Sequence, residues 1–123
     1  MIIGIDIGTQ SAKAVVADET LNVLGSASHA YAVSYPKPGW AEQDPHLWEA
    51  ALGPVIEAAL KDADVSKDSI TALGLAGQLD GAVATDAKVE PLHPCLIWVD
   101  KRAADIMADI PTDKIRAING IVA

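Results

Sequence analysis

A short run near the start of the chain places a carboxylate, two hydroxyls, an amide and a lysine close together. Residues 4–13 read Gly-Ile-Asp-Ile-Gly-Thr-Gln-Ser-Ala-Lys. The hydroxyls, the amide and the backbone N–H groups of a turn here could form a concave anion site, with the lysine within reach of a phosphate oxygen. The carboxylate could meet a hydrated metal ion or another cation. The candidate phosphate-binding residues are Asp6, Gly8, Thr9, Gln10, Ser11 and Lys13.

These residues require two strands and a tight turn to bring them together. Residues 2–7 and 12–17 are the apolar strands, and the turn opens at Gly8. A buried Asp6 would need a partner, because an unpaired charge inside a sheet is strongly unfavourable. An ordinary strand-closing turn is an equally good interpretation of this stretch taken alone. Neither the Gly-x-Gly-x-x-Gly pattern nor the Gly-x-x-x-x-Gly-Lys-Ser/Thr pattern is present.

The next segments predict a mixed sheet. A polar turn leads to a third strand over residues 23–32, so the first three strands form an antiparallel meander. Residues 34–45 are rich in proline and are expected to form a loop. Asp44 then caps a helix whose first residue is Pro45. The apolar run 70–76 is predicted to be a buried strand parallel to the first strand.

Two polar clusters follow apolar runs later in the chain. Gln78 and Asp80 come after the parallel strand. The short run 92–98 ends at Trp98 and is followed by Asp100 and Arg102. Ligands of open α/β sheets bind beyond the carboxyl ends of the strands, so the first cluster should share an edge with Asp6. Carboxylate and amide groups beside an aromatic face suit a polyol or sugar.

Each residue of these clusters also has a purely structural interpretation. The sequence Gly-Gln-Leu-Asp-Gly could be a plain turn, and Trp98 could be a core residue. Asp100 could be no more than the cap of a helix predicted over residues 101–108, and Arg102 could be no more than a solvated side chain. Thr112 is predicted to cap a last helix that ends at Asn119-Gly120.

Four segments together resemble one family. Residues 4–13 resemble the first phosphate motif of the actin-like ATPase superfamily. Residues 38–48 (Pro-Gly-Trp-Ala-Glu-Gln-Asp-Pro, then a second Trp), 76–81 (Ala-Gly-Gln-Leu-Asp-Gly) and 97–102 (Ile-Trp-Val-Asp-Lys-Arg) are similar to segments of the FGGY carbohydrate kinases. The segments occur in the family's order and cover nearly the whole chain, which makes the resemblance far more specific than any single motif.

The resemblance implies an α/β, ribonuclease-H-like (actin-like ATPase) fold with a mixed sheet and flanking helices. It implies ATP and Mg²⁺ as cofactors, with Asp6 near the metal through water, and transfer of the γ-phosphate to xylulose or a related pentulose or pentitol. Residues expected to line the sugar are Gln78, Leu79, Asp80, Trp98 and Asp100. Xylulokinases usually have Met-His where Leu79 and Asp80 stand, so the identity of the sugar is open: a carboxylate only accepts hydrogen bonds.

Composition limits the classes of partner and compartment. The chain has 123 residues, a net charge of −8 and one cysteine. The acidic balance argues against nucleic acid as a partner, and no apolar run has membrane-spanning length. A lone Cys95 suits a reducing cytoplasm, and no signal peptide is evident, so a cytoplasmic protein is expected.

The resemblance also implies that the chain is incomplete. In this family the catalytic base comes from a downstream segment and most of the ATP site from a second domain. Residues 1–123 are therefore expected to be a truncated first, sugar-binding domain that contains no catalytic base and is inactive alone. Apolar surface left bare by a missing domain would favour self-association as a homodimer. A non-catalytic actin-like nucleotide-binding domain and a pure interaction domain are the rival interpretations.

Overall fold

The three leading strands form the predicted antiparallel meander. A computed structural model describes residues 1–119 and gives β1 as Ile2–Ile7, β2 as Ser11–Ala17 and β3 as Val23–Ala30. In the β1–β2 pairing, Asp6 lies opposite Lys13. Alternation along these strands places one apolar face toward the core, where Ile3 and Ile5 are buried.

One long helix covers that apolar face. Helix α1 spans Pro45–Asp62, and the Asp44 carboxylate accepts a hydrogen bond from the His46 N–H at 3.0 Å, as expected of an N-cap. Every fourth residue of its inner face is buried, and the small side chains allow close packing on the sheet. The buried residues on the helix are Ala51, Val55 and Ala59.

The sheet is mixed, as predicted. After a 3₁₀ turn at Lys67–Ser69, strand β5 (Ala72–Gly77) pairs in parallel with β1, and the strand order is β3-β2-β1-β5. The expectation that β5 is buried is wrong for residues 1–119. Its leucines Leu73 and Leu75 are 59% and 67% exposed, because β5 is an edge strand and α1 packs over β2 and β3 instead.

A second, small sheet was not predicted. Strands β4 (Glu42–Gln43) and β6 (Cys95–Leu96) pair antiparallel and enclose a separate cluster with Ala41 and Ile97. The interpretation of residues 34–45 as loop throughout is therefore wrong at its end. Prolines flank the strand but are absent from it, so its ladder hydrogen bonds can form.

The last two helices are short. Helix α2 spans Ala104–Met107 and α3 spans Thr112–Asn119. A helix lies within the predicted range 101–108, but its predicted start and its predicted cap, Asp100, are wrong: the N-cap is Ala103, without a side-chain bond. The predicted stop at Gly120 lies outside the described residues. Within residues 1–119, no helix combines the length and hydrophobicity that crossing a membrane demands.

Candidate functional site

The turn between β1 and β2 is held in shape by its own backbone and by the end of β3. The Gly8 N–H donates to the Ser11 carbonyl at 3.0 Å, and the Tyr31 N–H donates to the Gln10 carbonyl at 3.1 Å. The Tyr31 hydroxyl donates to the Gly8 carbonyl at 2.5 Å. Burial, reinforced by the negative charge of Asp6, raises the pKa of Tyr31, so this hydroxyl keeps its proton and remains a donor. This first turn (residues 8–11) is therefore rigid.

A cleft of about 460 Å³ opens beside the first turn. Its walls bring all six predicted phosphate-binding residues together. They also include Trp98, which was predicted to line the sugar, and two residues for which no role was predicted, Tyr35 and Val99. The lining residues are Asp6, Gly8, Thr9, Gln10, Ser11, Lys13, Tyr35, Trp98 and Val99. Among residues 1–119, the backbone N–H groups of Thr9 and Gln10 find no acceptor, so both are available to an anion.

Asp6 is exposed, and not buried as the sequence suggested. It lies on the open face of β1, across from Lys13 and next to the first turn. In the part of the chain that the structure describes, no protein group donates a hydrogen bond to its carboxylate. Its oxygens are therefore free to bind a cation or water. Because the carboxylate is exposed, its charge does not carry the free-energy cost of burial in the sheet.

A second cleft, of about 510 Å³, adjoins the first. It shares Asp6, Gly8, Thr9 and Trp98 with the first cleft. Its other lining residues are Gly77, Gln78, Leu79 and Asp80. The carboxyl ends of the parallel strands β1 and β5 thus meet at one edge, as the strand order requires.

Segment 77–81 presents its polar groups through an unusual backbone. Asp80 has a φ of 59°, in the left-handed region that Asp tolerates better than most residues. The side chains of Leu79 and Asp80 are exposed. Trp98 is 60% exposed, so it is not the core residue that one interpretation allowed; its indole Nε1 donates to the Thr9 hydroxyl at 3.0 Å.

The buried side chain of Gln43 links the first turn to segment 77–81 by hydrogen bonds. It is 1% exposed, and its Nε2 donates to the Thr9 carbonyl at 2.7 Å. Its Oε1 accepts from Gln78 Nε2 at 3.0 Å, and the Thr9 hydroxyl donates to Gln78 Oε1 at 3.2 Å. Gln43 lies within the family-like segment 38–48, but its sequence position did not predict a role. A polar residue just before a helix cap was the only available signal.

Asp100 lines neither cleft. Its carboxylate accepts from Arg102 Nη2 at 2.7 Å and from the Ala41 N–H at 2.7 Å. Hydrogen bonds from Arg102, more than its charge, hold the pKa of the Asp100 carboxyl well below its usual range. Arg102 also pairs with Glu42 at 2.7 Å and stacks 3.8 Å above the Trp40 ring. Arg102 is thus paired and not merely solvated, and Asp100 anchors the loop before β4.

The described part of the chain offers no ready-made metal centre of several protein ligands. Residues 1–119 contain no group of three His, Cys, Asp or Glu side chains placed to hold an ion. The three histidines His29, His46 and His93 are exposed. The exposed Asp6 carboxylate, which lines both clefts, has the hard oxygen atoms that suit a cation keeping most of its own waters.

Comparison with known proteins assigns the chain to a family. The sequence profile of the N-terminal domain of the FGGY family of carbohydrate kinases matches residues 1–123. A glycerol kinase from Thermococcus onnurineus (strain NA1) is 34% identical over 110 residues, which is 89% of this chain and 22% of that protein. The chain thus spans about a fifth of the length of this relative.

Solved structures agree with the sequence comparison. A xyloylose kinase from Brucella ovis superposes with a TM-score of 0.89 at 39% identity over 98% of this chain and 26% of that chain. A glycerol kinase from Plasmodium falciparum, solved with ADP, gives a TM-score of 0.78 at 27% identity over 94% of this chain and 24% of that chain. The mixed sheet with its predicted actin-like ATPase fold is confirmed, and the chain belongs to the FGGY family of carbohydrate kinases, of which it matches the N-terminal domain.

Proposed function

We propose that this chain supplies the acceptor-sugar site and the first phosphate site of an ATP-dependent kinase that transfers the γ-phosphate to a hydroxyl of a sugar or polyol. One observation carries the proposal: the clefts beside the first turn and beside segment 77–81 share Asp6, Gly8, Thr9 and Trp98. A phosphate and a hydroxyl bound in adjoining clefts would be close neighbours. Phosphoryl transfer depends chiefly on such positioning and on charge neutralisation.

The phosphate end of the site uses three kinds of donor. Lys13 brings a positive charge, Ser11 a hydroxyl, and Thr9 and Gln10 their free backbone N–H groups. Such donors aimed at one point stabilise the charge that develops on equatorial phosphate oxygens. In this proposal, Tyr31 keeps the turn rigid, so that little ordering is needed when the phosphate arrives.

Asp6 is the residue proposed to hold Mg²⁺ through water. Its exposed carboxylate has the hard oxygen atoms that Mg²⁺ prefers, and a single carboxylate is sufficient when phosphate oxygens complete the shell. When bound, the metal neutralises the charge on the phosphates. Asp6 would hold the hydrated ion beside the first turn.

The acceptor end is proposed to recognise hydroxyls by Gln78 and Asp80 and the C–H face of the sugar by Trp98. Leu79, which is 76% exposed, adds apolar surface. An acceptor-only carboxylate at Asp80 requires a substrate hydroxyl that donates. Xylulose, a related pentulose or a pentitol remains the proposed acceptor class, and Asp80 is the residue proposed to discriminate among them. Because Arg102 and the Ala41 N–H hold the Asp100 carboxylate, the role proposed for Asp100 is indirect: it positions the loop before β4.

Turnover is proposed to need more than this chain. No described carboxylate in the clefts other than Asp6 and Asp80 could act as base, and Asp6 has the metal role. The second, nucleotide-binding domain and the catalytic base are proposed to belong to other parts of a full-length enzyme. A cytoplasmic location and a homodimer remain part of this proposal.

A binding assay and a kinase assay test the proposal together. Isothermal titration of the 123-residue chain with Mg²⁺–ATP, D-xylulose, xylitol and glycerol should show binding of nucleotide and of at least one polyol. Asp80→Asn should weaken binding of the polyol alone, and Trp98→Phe should also weaken binding of the polyol. A coupled kinase assay should show no turnover. Nucleotide binding with no polyol binding would favour the non-catalytic nucleotide-binding alternative. Robust turnover would refute the proposal that catalysis needs parts of the enzyme outside this chain.

A further inference from the structure

Three residues close a hydrogen-bonded circuit between the two clefts, and a fourth bonds to it. Gln43 bonds to Gln78, Gln78 to the Thr9 hydroxyl, and Gln43 also to the Thr9 carbonyl, while Trp98 donates to the Thr9 hydroxyl from outside. The bond lengths lie between 2.7 and 3.2 Å. The circuit therefore links the first turn directly to segment 77–81.

The orientation of both side-chain amides in this circuit is fixed by chemistry. Gln43 faces two backbone carbonyls, those of Thr9 and Ala32, which can only accept, so the group that meets them must be its NH₂. Its Oε1 must then face Gln78, which presents its own NH₂ in return. That leaves Gln78 Oε1 toward the Thr9 hydroxyl. An inverted amide at Gln43 would bring oxygen against oxygen at 2.7 Å.

The Thr9 hydroxyl is the one adjustable group. A hydroxyl has a single hydrogen to donate and two lone pairs to accept with. The Trp98 indole occupies one lone pair, because it can only donate, and this bond holds the oxygen atom in place. The hydrogen can point at Gln78 Oε1 or at a phosphate oxygen in the cleft, but not at both. Rotation about one C–O bond exchanges the two arrangements without moving a heavy atom.

We propose that Gln43 is a positioning residue that couples the two halves of the site. When a phosphate takes the Thr9 hydroxyl hydrogen, Gln78 Oε1 loses its donor and accepts instead from a hydroxyl of the polyol. Since Gln43 prevents the Gln78 amide from inverting, the freed group is always the oxygen. Phosphate and polyol therefore bind cooperatively. This inference rests on the proposed function, because it takes the two clefts to hold those two ligands.

The test is an NMR titration of the 123-residue chain, which measures weak affinities. D-xylulose, xylitol and glycerol are titrated in saturating inorganic phosphate and in chloride of equal ionic strength. A single hydrogen bond gained corresponds to a Kd roughly threefold to tenfold lower in phosphate for each polyol that binds. The same spectra report the side-chain NH₂ signals of Gln78, which should shift with phosphate alone.

Gln43→Met is the informative variant, since it keeps the side-chain length and removes the amide. In this variant Gln78 is free to invert, so the ratio of polyol Kd values should fall toward one. Cys95→Ala is the matched control. Cys95 pairs with Gln43 in the β4–β6 ladder and is equally buried, but it has no part in the circuit, so the ratio should remain as in the natural chain.

The outcomes separate this inference from the proposed function. If both ligands bind but phosphate leaves the polyol Kd and the Gln78 signals unchanged, the inference is wrong and the proposed function stands. Coupling that persists in Gln43→Met would also overturn it. If neither ligand binds, both proposals fail. Should Gln43→Met not fold, the phosphate dependence of the natural chain decides alone.

Discussion

A single glycine determines how closely α1 approaches the sheet, and its replacement gives a sharp test of the fold. A Cβ at Gly25 in β3 would lie 2.3 Å from the backbone nitrogen of Ala63 and 2.7 Å from its Cα. Contacts below 3.0 Å require one partner to move. Neither is free to do so, because Gly25 pairs with Val16 in β2 and the Ser26 N–H is bonded to the Asp62 carboxylate at 2.9 Å at the end of α1.

Gly25→Ala should therefore destabilise the chain by about 3 kcal/mol, the upper part of the range for overpacked sites. At roughly 3–5 °C per kcal/mol for a domain of this size, the Tm should fall by about 9–15 °C. Thermal unfolding followed by circular dichroism measures this shift, and urea unfolding gives the free energy independently.

Gly4→Ala is the matched control for that experiment. Gly4 also lies in a strand of the same sheet, but a Cβ there would meet nothing within 4 Å. It should leave the Tm unchanged or raise it slightly, because alanine restricts the unfolded chain. Equal Tm values for the two variants would show that α1 does not approach β3 as closely as described.

Three further predictions concern the site and its supports. Asp100 has a depressed pKa, so its ion pair stabilises the fold above the unfolded value near pH 4 and loses this effect as pH falls; the Tm of Arg102→Met should depend less on pH below about 4 than that of the natural chain. Burial raises the pKa of Cys95, so its alkylation by iodoacetamide should be slow at pH 7.5 and rise only in strong alkali or on unfolding; rapid labelling would contradict its burial. Trp98→Phe removes a hydrogen bond from a largely exposed side chain, so it should shift the Tm by less than about 3 °C but weaken polyol binding roughly threefold to tenfold by titration; a large loss of stability would mean that Trp98 has a core role.

Local patterns were sufficient to predict the main sheet. Short apolar runs on either side of a turn marked β1 and β2, and Asp44-Pro45 marked the start of α1, because these signals lie in neighbouring residues. The parallel placement of the 70–76 run followed from the helix that precedes it. Its exposure could not be predicted, since burial of an apolar strand depends on what packs over it and not on its own composition.

Both halves of the site and their shared sheet edge were predictable from the sequence, but the hydrogen bonds that join them were not. Spacing alone marked the turn at Gly8 and the polar residues Gln78 and Asp80, and strand order then brought them together. The contribution of Gln43 was hidden, because its partners are distant in sequence and include backbone carbonyls, which have no sequence signature. The Arg102–Glu42 ion pair, joining residues 60 positions apart, was hidden for the same reason.

The proposed function requires that the first turn binds a phosphate and that Asp6 holds the metal ion bound with it. The direct test is ATP binding to the natural chain and to Asp6→Asn, with Mg²⁺ and in EDTA. Without metal, Asp6→Asn should bind ATP roughly fivefold more tightly, because a carboxylate about 6 Å from a phosphate in a watery cleft repels it by about 1 kcal/mol. With Mg²⁺ the order should reverse, and the natural chain should bind more tightly. Equal affinities of the two proteins in both conditions would contradict the claim.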